Sequence, residues 1–382
     1  MSVQPSLARY TPVIILALVA ALVAVIGFWS QDRAGRHSEA GQTQFAQAGV
    51  ERPVYRWKMV TTWPKNLPGL GAGAENFARM VEELSGGQLQ IRVYGSGEIV
   101  PAMGVFEAVS EGVAEMGHGA AYYWKGKVPA SVFFTAVPFG LNAQEMNGWL
   151  RYGGGMELWT ETYAPFNLVP FPGGNSGVQM AGWFNREINS VDDLIGLKMR
   201  IPGIGGEVFS RAGGTAVTIA GSELYTSMQT GVIDATEWVG PYNDVGLGLH
   251  QVARYYYYPG WHEPGSTLEL IINQDAFATL TPELQAMVRV AAEAMNQNML
   301  DDYTAHNNAS LQDLVENHGV QLRKLPDDVL LRLKQTSEVV LAEFAARDPQ
   351  AQKVYDAFMA YREGVRAYHK ISEQAFYNAR DL

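Results

Sequence analysis

An α/β fold of about two domains is predicted by three features of this 382-residue chain. Short apolar runs of strand length alternate with segments whose apolar residues recur at helical spacing. Strand, helix, strand and helix in succession call for a parallel sheet with crossover helices. The length, at roughly 150 residues per domain, allows two such units, and a hydrophobic content of 47% is enough to fill their cores.

The elements follow in order. Residues 54–62 (VYRWKMVTT) read as a strand, and 63–73 as a Pro/Gly-rich loop. Residues 74–84 carry Phe77, Met80, Val81 and Leu84 on one helical face and stop at Ser85-Gly86-Gly87. Residues 89–94 alternate as a second strand, 103–111 form a second helix, and 115–120 a short strand. In a second unit, strands are expected at 177–185, 197–201, 216–219 and 235–239, with helices at 206–212 and 223–230. A strand at 267–273 and a long amphipathic helix at 282–300, opened by Thr281-Pro282-Glu283, come next. From about residue 327 the chain is helical in character, and the pattern passes between the two units more than once.

Residues 13–29 (VIILALVAALVAVIGFW) form a run of 17 apolar or glycine residues, with Arg9 before it and Asp32, Arg33 and Arg36 behind it. Such a run is a secretion signal or an N-terminal membrane anchor. The polar stretch at 31–53 reads as a linker that detaches it from the folded part. Either reading places the folded part outside the cytoplasmic membrane. The chain has 28 basic and 39 acidic residues, a net charge of −11, which argues against nucleic-acid binding. It has no cysteine, so disulfides, thiolate-bound zinc, iron–sulfur clusters and thiol catalysis are excluded.

Several segments could carry chemistry. Gly69-Leu70-Gly71-Ala72-Gly73-Ala74 matches a dinucleotide-binding loop only loosely, because the second strand ends without the acidic residue that holds a ribose. A mobile glycine loop at a cleft mouth is the simpler expectation. The seven histidines show no paired metal-binding spacing. Arg200, at the end of a strand and before a glycine-rich helix start, could hold a carboxylate in a bidentate fork. A surface salt bridge explains it equally well. Glu237 in DATEWVGPY is a carboxylate at a strand end beside Trp238; if buried it needs an ion partner. Asn175, Gln179 and Glu263 add oxygen donors of the kind that hard cations prefer. Spacing alone does not bring them together.

At these residues the sequence resembles the extracytoplasmic solute receptors of tripartite ATP-independent periplasmic (TRAP) transporters. More narrowly, it is similar to the subgroup that binds 2-oxoacids such as pyruvate, and to related lactate receptors, together with a metal ion. The segments that carry the resemblance are 172–184 (PGGNSGVQMAGWF), 196–203 (GLKMRIPG), 231–244 (GVIDATEWVGPYND) and 255–265 (YYYYPGWHEPG), supported by 61–69 and 136–143.

The resemblance implies a two-domain periplasmic-binding-protein fold with crossing strands, a long hinge helix and C-terminal helices. One domain would comprise 54–176 and 266–310, the other 177–265, and a helical region 311–382 would include a dimerisation helix. Arg200 matches the carboxylate-binding position. Gln179, Glu237, the main-chain carbonyl of Trp238 and Glu263 match metal-contacting positions, the ion being Na+ or Ca2+. Tyr122 or Tyr123, Asn175 and Trp63 would line the pocket. The implied partners are a small 2-oxo or 2-hydroxy monocarboxylate, the membrane permease and a second copy of the chain. The implied compartment is the periplasm, with residues 13–29 a possible tether. The chain departs from the pattern at His262, where a tryptophan is usual, and in its bulkier Trp63–Gly69 loop. A metal-dependent enzyme acting on an oxoacid, and a tethered sensory module, are the alternatives.

Overall fold

A computed structural model of the protein describes residues 53–382. The apolar segment at 13–29 lies outside them, as does the linker except for its last residue. Among the described residues no helix is long and apolar enough to cross a membrane.

Two sheets organise the chain. The first contains β1 (Tyr55–Thr61), β2 (Leu89–Tyr94), β3 (Met116–Gly119), β4 (Leu168–Asn175) and β10 (Thr267–Asn273), in the order β2-β1-β3-β10-β4. β1 pairs in parallel with β2 and β3, as the crossover helices Leu70–Leu84 and Val105–Ser110 require. β10 runs antiparallel between β3 and β4. All seven residues of β10 are buried, which is why it reads as a continuous run instead of an alternating one. The second sheet has the order β11-β9-β5-β8-β6-β7, built from β5 (Gly182–Phe184), β6 (Lys198–Arg200), β7 (Thr215–Val217), β8 (Ala235–Thr236), β9 (Tyr255–Tyr258) and β11 (Gln321–Lys324). The chain therefore crosses between the sheets after β4, after β9 and before β11.

Helix Pro282–Glu316 spans 35 residues and packs against β4, helix Leu70–Leu84 and helix Pro241–Gly246. Its buried residues Leu284, Val288, Ala291, Met295, Met299 and Tyr303 recur every three or four positions. It runs well past the expected end at 300, through a polar stretch in which only Tyr303 and Leu314 are buried. Helices Asp327–Ala345 and Pro349–His369 then carry the chain back over both units.

Two expectations change, and further elements appear that the sequence pattern did not predict. The glycine segment at 69–74 is no loose loop: Gly69, at φ 67°, precedes a helix that already begins at Leu70. A Cβ on Gly71 would lie 2.3 Å from the Pro64 carbonyl oxygen, so these glycines serve close packing. The stretch expected to be helical from 311 contains β11. Two helices, Ala143–Tyr152 and Gly155–Tyr163, were not anticipated. The tyrosine run Tyr255–Tyr258 is a strand, with Tyr256 stacked on Trp183 at 3.9 Å.

Candidate functional site

The site forms at strand ends and crossing segments. β6 and β8 are parallel neighbours, with Arg200 in register with Thr236, so Arg200 and the following residue Glu237 leave adjacent strand ends together. Both are buried, and the Arg200 Nη1 donates to the Glu237 carboxylate. Arg200 makes three further hydrogen bonds and keeps one Nη2–H beyond them. Its Nε donates to the Ile219 carbonyl at 3.1 Å, Nη1 also to the Glu237 carbonyl at 3.2 Å, and Nη2 to the Tyr123 hydroxyl at 3.1 Å. The guanidinium carbon lies 5.0 Å from the centre of the Trp238 ring. Burial opposes its charge, but Glu237, the tyrosines 123 and 122, and Glu263 outweigh burial and hold it protonated more firmly than a free arginine.

The first and second crossings bring in the remaining oxygen donors. Gln179, after β4, donates its backbone N–H to the Glu263 carbonyl at 3.1 Å, which locks the two crossing segments side by side. Its side-chain Nε2 donates to Ser176 Oγ at 3.0 Å, while its Oε1 is buried with no donor. Glu263 accepts from Ser266 Oγ. Burial, and then the neighbouring Glu237 charge, raise the Glu263 carboxyl to about 7. His262 Nε2 lies 3.4 Å from the second Glu237 oxygen. Glu237, His262 and Glu263 are, among the described residues, the one group of three metal-capable side chains whose donor atoms lie within 4.8 Å of one another. Two carboxylates and an orphaned amide oxygen are a donor set for a hard cation, and the residues fit one.

Arg200, Gln179 and Glu263 line one tight cavity of about 20 Å3, together with Trp63, Leu70, Ala120, Tyr122, Tyr123, Ser176, Trp238, Val239 and Leu268. Tyr122 and Tyr123 come from the turn Ala121–Trp124 that follows β3, with rings edge to face at 4.9 Å. Burial raises both tyrosines, so each hydroxyl stays protonated. Arg200, Gln179, Trp238, Tyr122, Tyr123, Trp63 and Glu263 thus converge on one space, and Glu237 is joined to them through Arg200. Asn175 does not reach the lining. Its Nδ2 donates to the Gly265 carbonyl and to Thr267 Oγ1, and its Oδ1 accepts from Gly177 N, so it clamps the crossing segments. Its neighbour Ser176 takes the place on the wall. Ser176, Leu70 and Leu268 escaped sequence reasoning; the polar NSG turn at 175–177 was the available signal for Ser176.

Three comparisons bear on this arrangement. A "monocarboxylate 2-oxoacid-binding periplasmic protein" of Nostoc sp. is 43% identical over 336 residues, covering 88% of this chain and 91% of that protein. A TRAP periplasmic solute binding protein from Pseudoalteromonas atlantica, solved with bound sodium and pyruvate, is 44% identical with a TM-score of 0.82. It covers 85% of this chain and 99% of its own. One from Colwellia psychrerythraea, with bound calcium and pyruvate, is 43% identical with a TM-score of 0.83 and the same coverage, 85% and 99%. Their two-domain α/β architecture, with its crossing strands and long C-terminal helices, is this chain's architecture. The model of the bacterial extracellular solute-binding proteins, family 7, matches residues 59–348, and the chain belongs to that family of solute receptors, which are not enzymes.

Proposed function

We propose that the chain is the extracytoplasmic capture subunit of a TRAP transporter. In this reading it binds a small 2-oxo monocarboxylate, or a 2-hydroxy counterpart, together with Na+ or Ca2+, and delivers it to the membrane permease. The observation that carries this is the convergence of one buried arginine and an oxygen-rich, partly unpaired donor set on a single small cavity. The ligands held by the two structural relatives support it.

Arg200 and the Tyr123 hydroxyl would hold the ligand carboxylate, and Tyr122, Trp63, Leu70 and Leu268 would enclose its carbon chain. Gln179 Oε1, Glu237, the Trp238 carbonyl and Glu263 would hold the cation. A bound cation supplies positive charge to a carboxylate oxygen and the adjacent keto or hydroxyl oxygen of the ligand. A plain fatty acid lacks that second oxygen and forfeits the chelate. Formal charges of −1 for Glu237, −1 for Glu263, +1 for Arg200 and −1 for the ligand sum to −2. Calcium neutralises that set, whereas sodium leaves −1. With both glutamates ionised the site therefore favours calcium.

In the same reading residues 13–29 deliver the chain across the membrane as a signal or retain it there as an anchor. The C-terminal region, whose Tyr368, Ile371, Phe376 and Tyr377 are exposed, would pair two copies. The test is the melting temperature of the full chain, stripped of ligand by unfolding and refolding. Pyruvate, 2-oxobutyrate, lactate, butyrate and succinate are each added with and without Na+ or Ca2+. A ligand that binds only the native state raises the midpoint. A cation-dependent rise with the oxoacids and none with butyrate is expected. No rise with any monocarboxylate would refute the reading.

A further inference from the structure

We infer that His118, which does not line the cavity, is a positioning residue that sets the acyl-chain selectivity of the site by fixing Trp63 as a wall without a free donor. The inference rests on the function proposed above. Trp63 is buried and lines the cavity, as do the apolar residues Leu70, Ala120 and Leu268. An indole on such a wall carries one polar atom, its N–H. Here Nε1 donates to His118 Nδ1 at 3.2 Å, and the two rings meet edge to face at 4.7 Å and 80°.

The other ring nitrogen completes a directed chain. His118 Nε2 lies 2.8 Å from the Gly173 carbonyl oxygen of β4, and an oxygen there can only accept. Nε2 therefore carries the proton and Nδ1 is left as an acceptor, which admits a single neutral tautomer. His118 is fully buried on β3, and burial lowers its pKa to about 4, so this form holds throughout the neutral range. The chain Trp63, His118, Gly173 spends every polar atom of both rings. It ties the loop after β1 to β4 across the intervening β10. The cavity consequently meets only the carbon surface of the indole, in one fixed orientation. Without the imidazole acceptor, the buried N–H must find a new partner, and the ring turns to do so. The wall then shifts its position and exposes a donor, and the discrimination between a methyl group and a longer acyl chain changes with it.

The experiment compares dissociation constants for pyruvate and 4-methyl-2-oxopentanoate by titration calorimetry at saturating Ca2+, using the full chain. The variants are His118→Leu, His118→Gln and Trp63→Phe. H118L is expected to change the ratio of the two constants at least tenfold while leaving the Ca2+ requirement in place. H118Q, which keeps an acceptor and a donor about as far apart as the ring nitrogens, is expected to restore the ratio to within about threefold of wild type. W63F, which removes the donor and keeps the aromatic bulk, is expected to shift the ratio in the same sense, and the W63F/H118L double variant to add little. An unchanged ratio in H118L and W63F overturns the inference. Should H118L fail to fold, an unchanged ratio in W63F alone does so. A wild-type chain that binds no 2-oxoacid at all refutes the function proposed above, which is a separate result.

Discussion

The Arg200–Glu237 pair gives the sharpest test of how the site is held together. Both side chains are buried, and the pair sits beside a second buried carboxylate, Glu263. Arg200→Met would leave two uncompensated carboxylates in a space of low polarity, a loss of about 3–5 kcal/mol. Glu237→Gln should cost less, about 2 kcal/mol, because Arg200 keeps its bonds to Ile219, to the Glu237 main chain and to Tyr123. It also relieves Glu263 of its nearest negative neighbour. The double variant removes both charges and should cost about as much as E237Q alone, so the coupling energy equals the R200M loss, about 4 kcal/mol. The assay is urea unfolding at pH 8 in a metal chelator. With a denaturant slope of about 3 kcal/mol per M for a chain of this size, R200M lowers the midpoint by about 1.3 M. Single-variant losses that add to the double-variant loss within about 0.5 kcal/mol would refute the description of this pair as a mutually dependent buried unit.

Three further outcomes follow from named contacts. Gln179→Leu removes a buried oxygen that has no donor, so calorimetry should show at least a tenfold loss of Ca2+ affinity with little change in melting temperature. A large fall in melting temperature with unchanged Ca2+ binding would contradict that role. Glu269 on β10 accepts from Trp124 Nε1 and the Tyr163 hydroxyl, and its burial raises the carboxyl to about 7 from 4.5. The unfolded chain releases that proton first, so stability present below pH 4.5 is lost as pH rises through 7, by about 3 kcal/mol. Wild type and E269Q should therefore diverge by that amount between pH 4.5 and 7.5, and parallel pH profiles would exclude it. Gly71→Ala, although favourable to a helix in isolation, places a methyl 2.3 Å from the Pro64 carbonyl and should lower stability by about 2 kcal/mol, read as a lower urea midpoint.

Much of the fold was legible because its strands follow simple patterns, and the exceptions have definite causes. β4 (LVPFPGGN) carries two prolines and two glycines and reads as a turn. It lies at the edge of the first sheet, where a missing N–H breaks no ladder on its outer side. β9 is four tyrosines in a row and shows no alternation, since aromatic partners pack on it directly. The helix at Ala143–Tyr152 had a readable start, because Asn142 and Glu145 form a reciprocal capping box. Its end is obscured by Gly153-Gly154-Gly155, where Gly154 takes φ 84° and starts the next helix. The long helix outruns its apolar pattern because residues 301–316 are mostly polar. They are helical through continuation from a packed segment, since elongation adds one bond per residue once a nucleus exists.

The site was legible in its chemistry and not in its assembly. A carboxylate-binding arginine and a row of oxygen donors can be read from residue types, yet Arg200, Glu237, Gln179 and Glu263 lie on four separate segments. Two facts of topology join them. The parallel pairing of β6 with β8 sets Arg200 beside Glu237, and the Gln179 N–H to Glu263 carbonyl bond sets the two crossing segments side by side. The crossing segments are also the links between the sheets, so oxygen donors on them respond to the spacing of the two units. Asn175 shows the same logic from the other side. Its residue type suggested a ligand contact, but its amide is consumed at the Gly265 and Thr267 end of the second crossing. A polar residue at a crossing can thus either face the cavity or hold the crossing in place. Only the partner atoms decide which, and those partners come from a segment about ninety residues away.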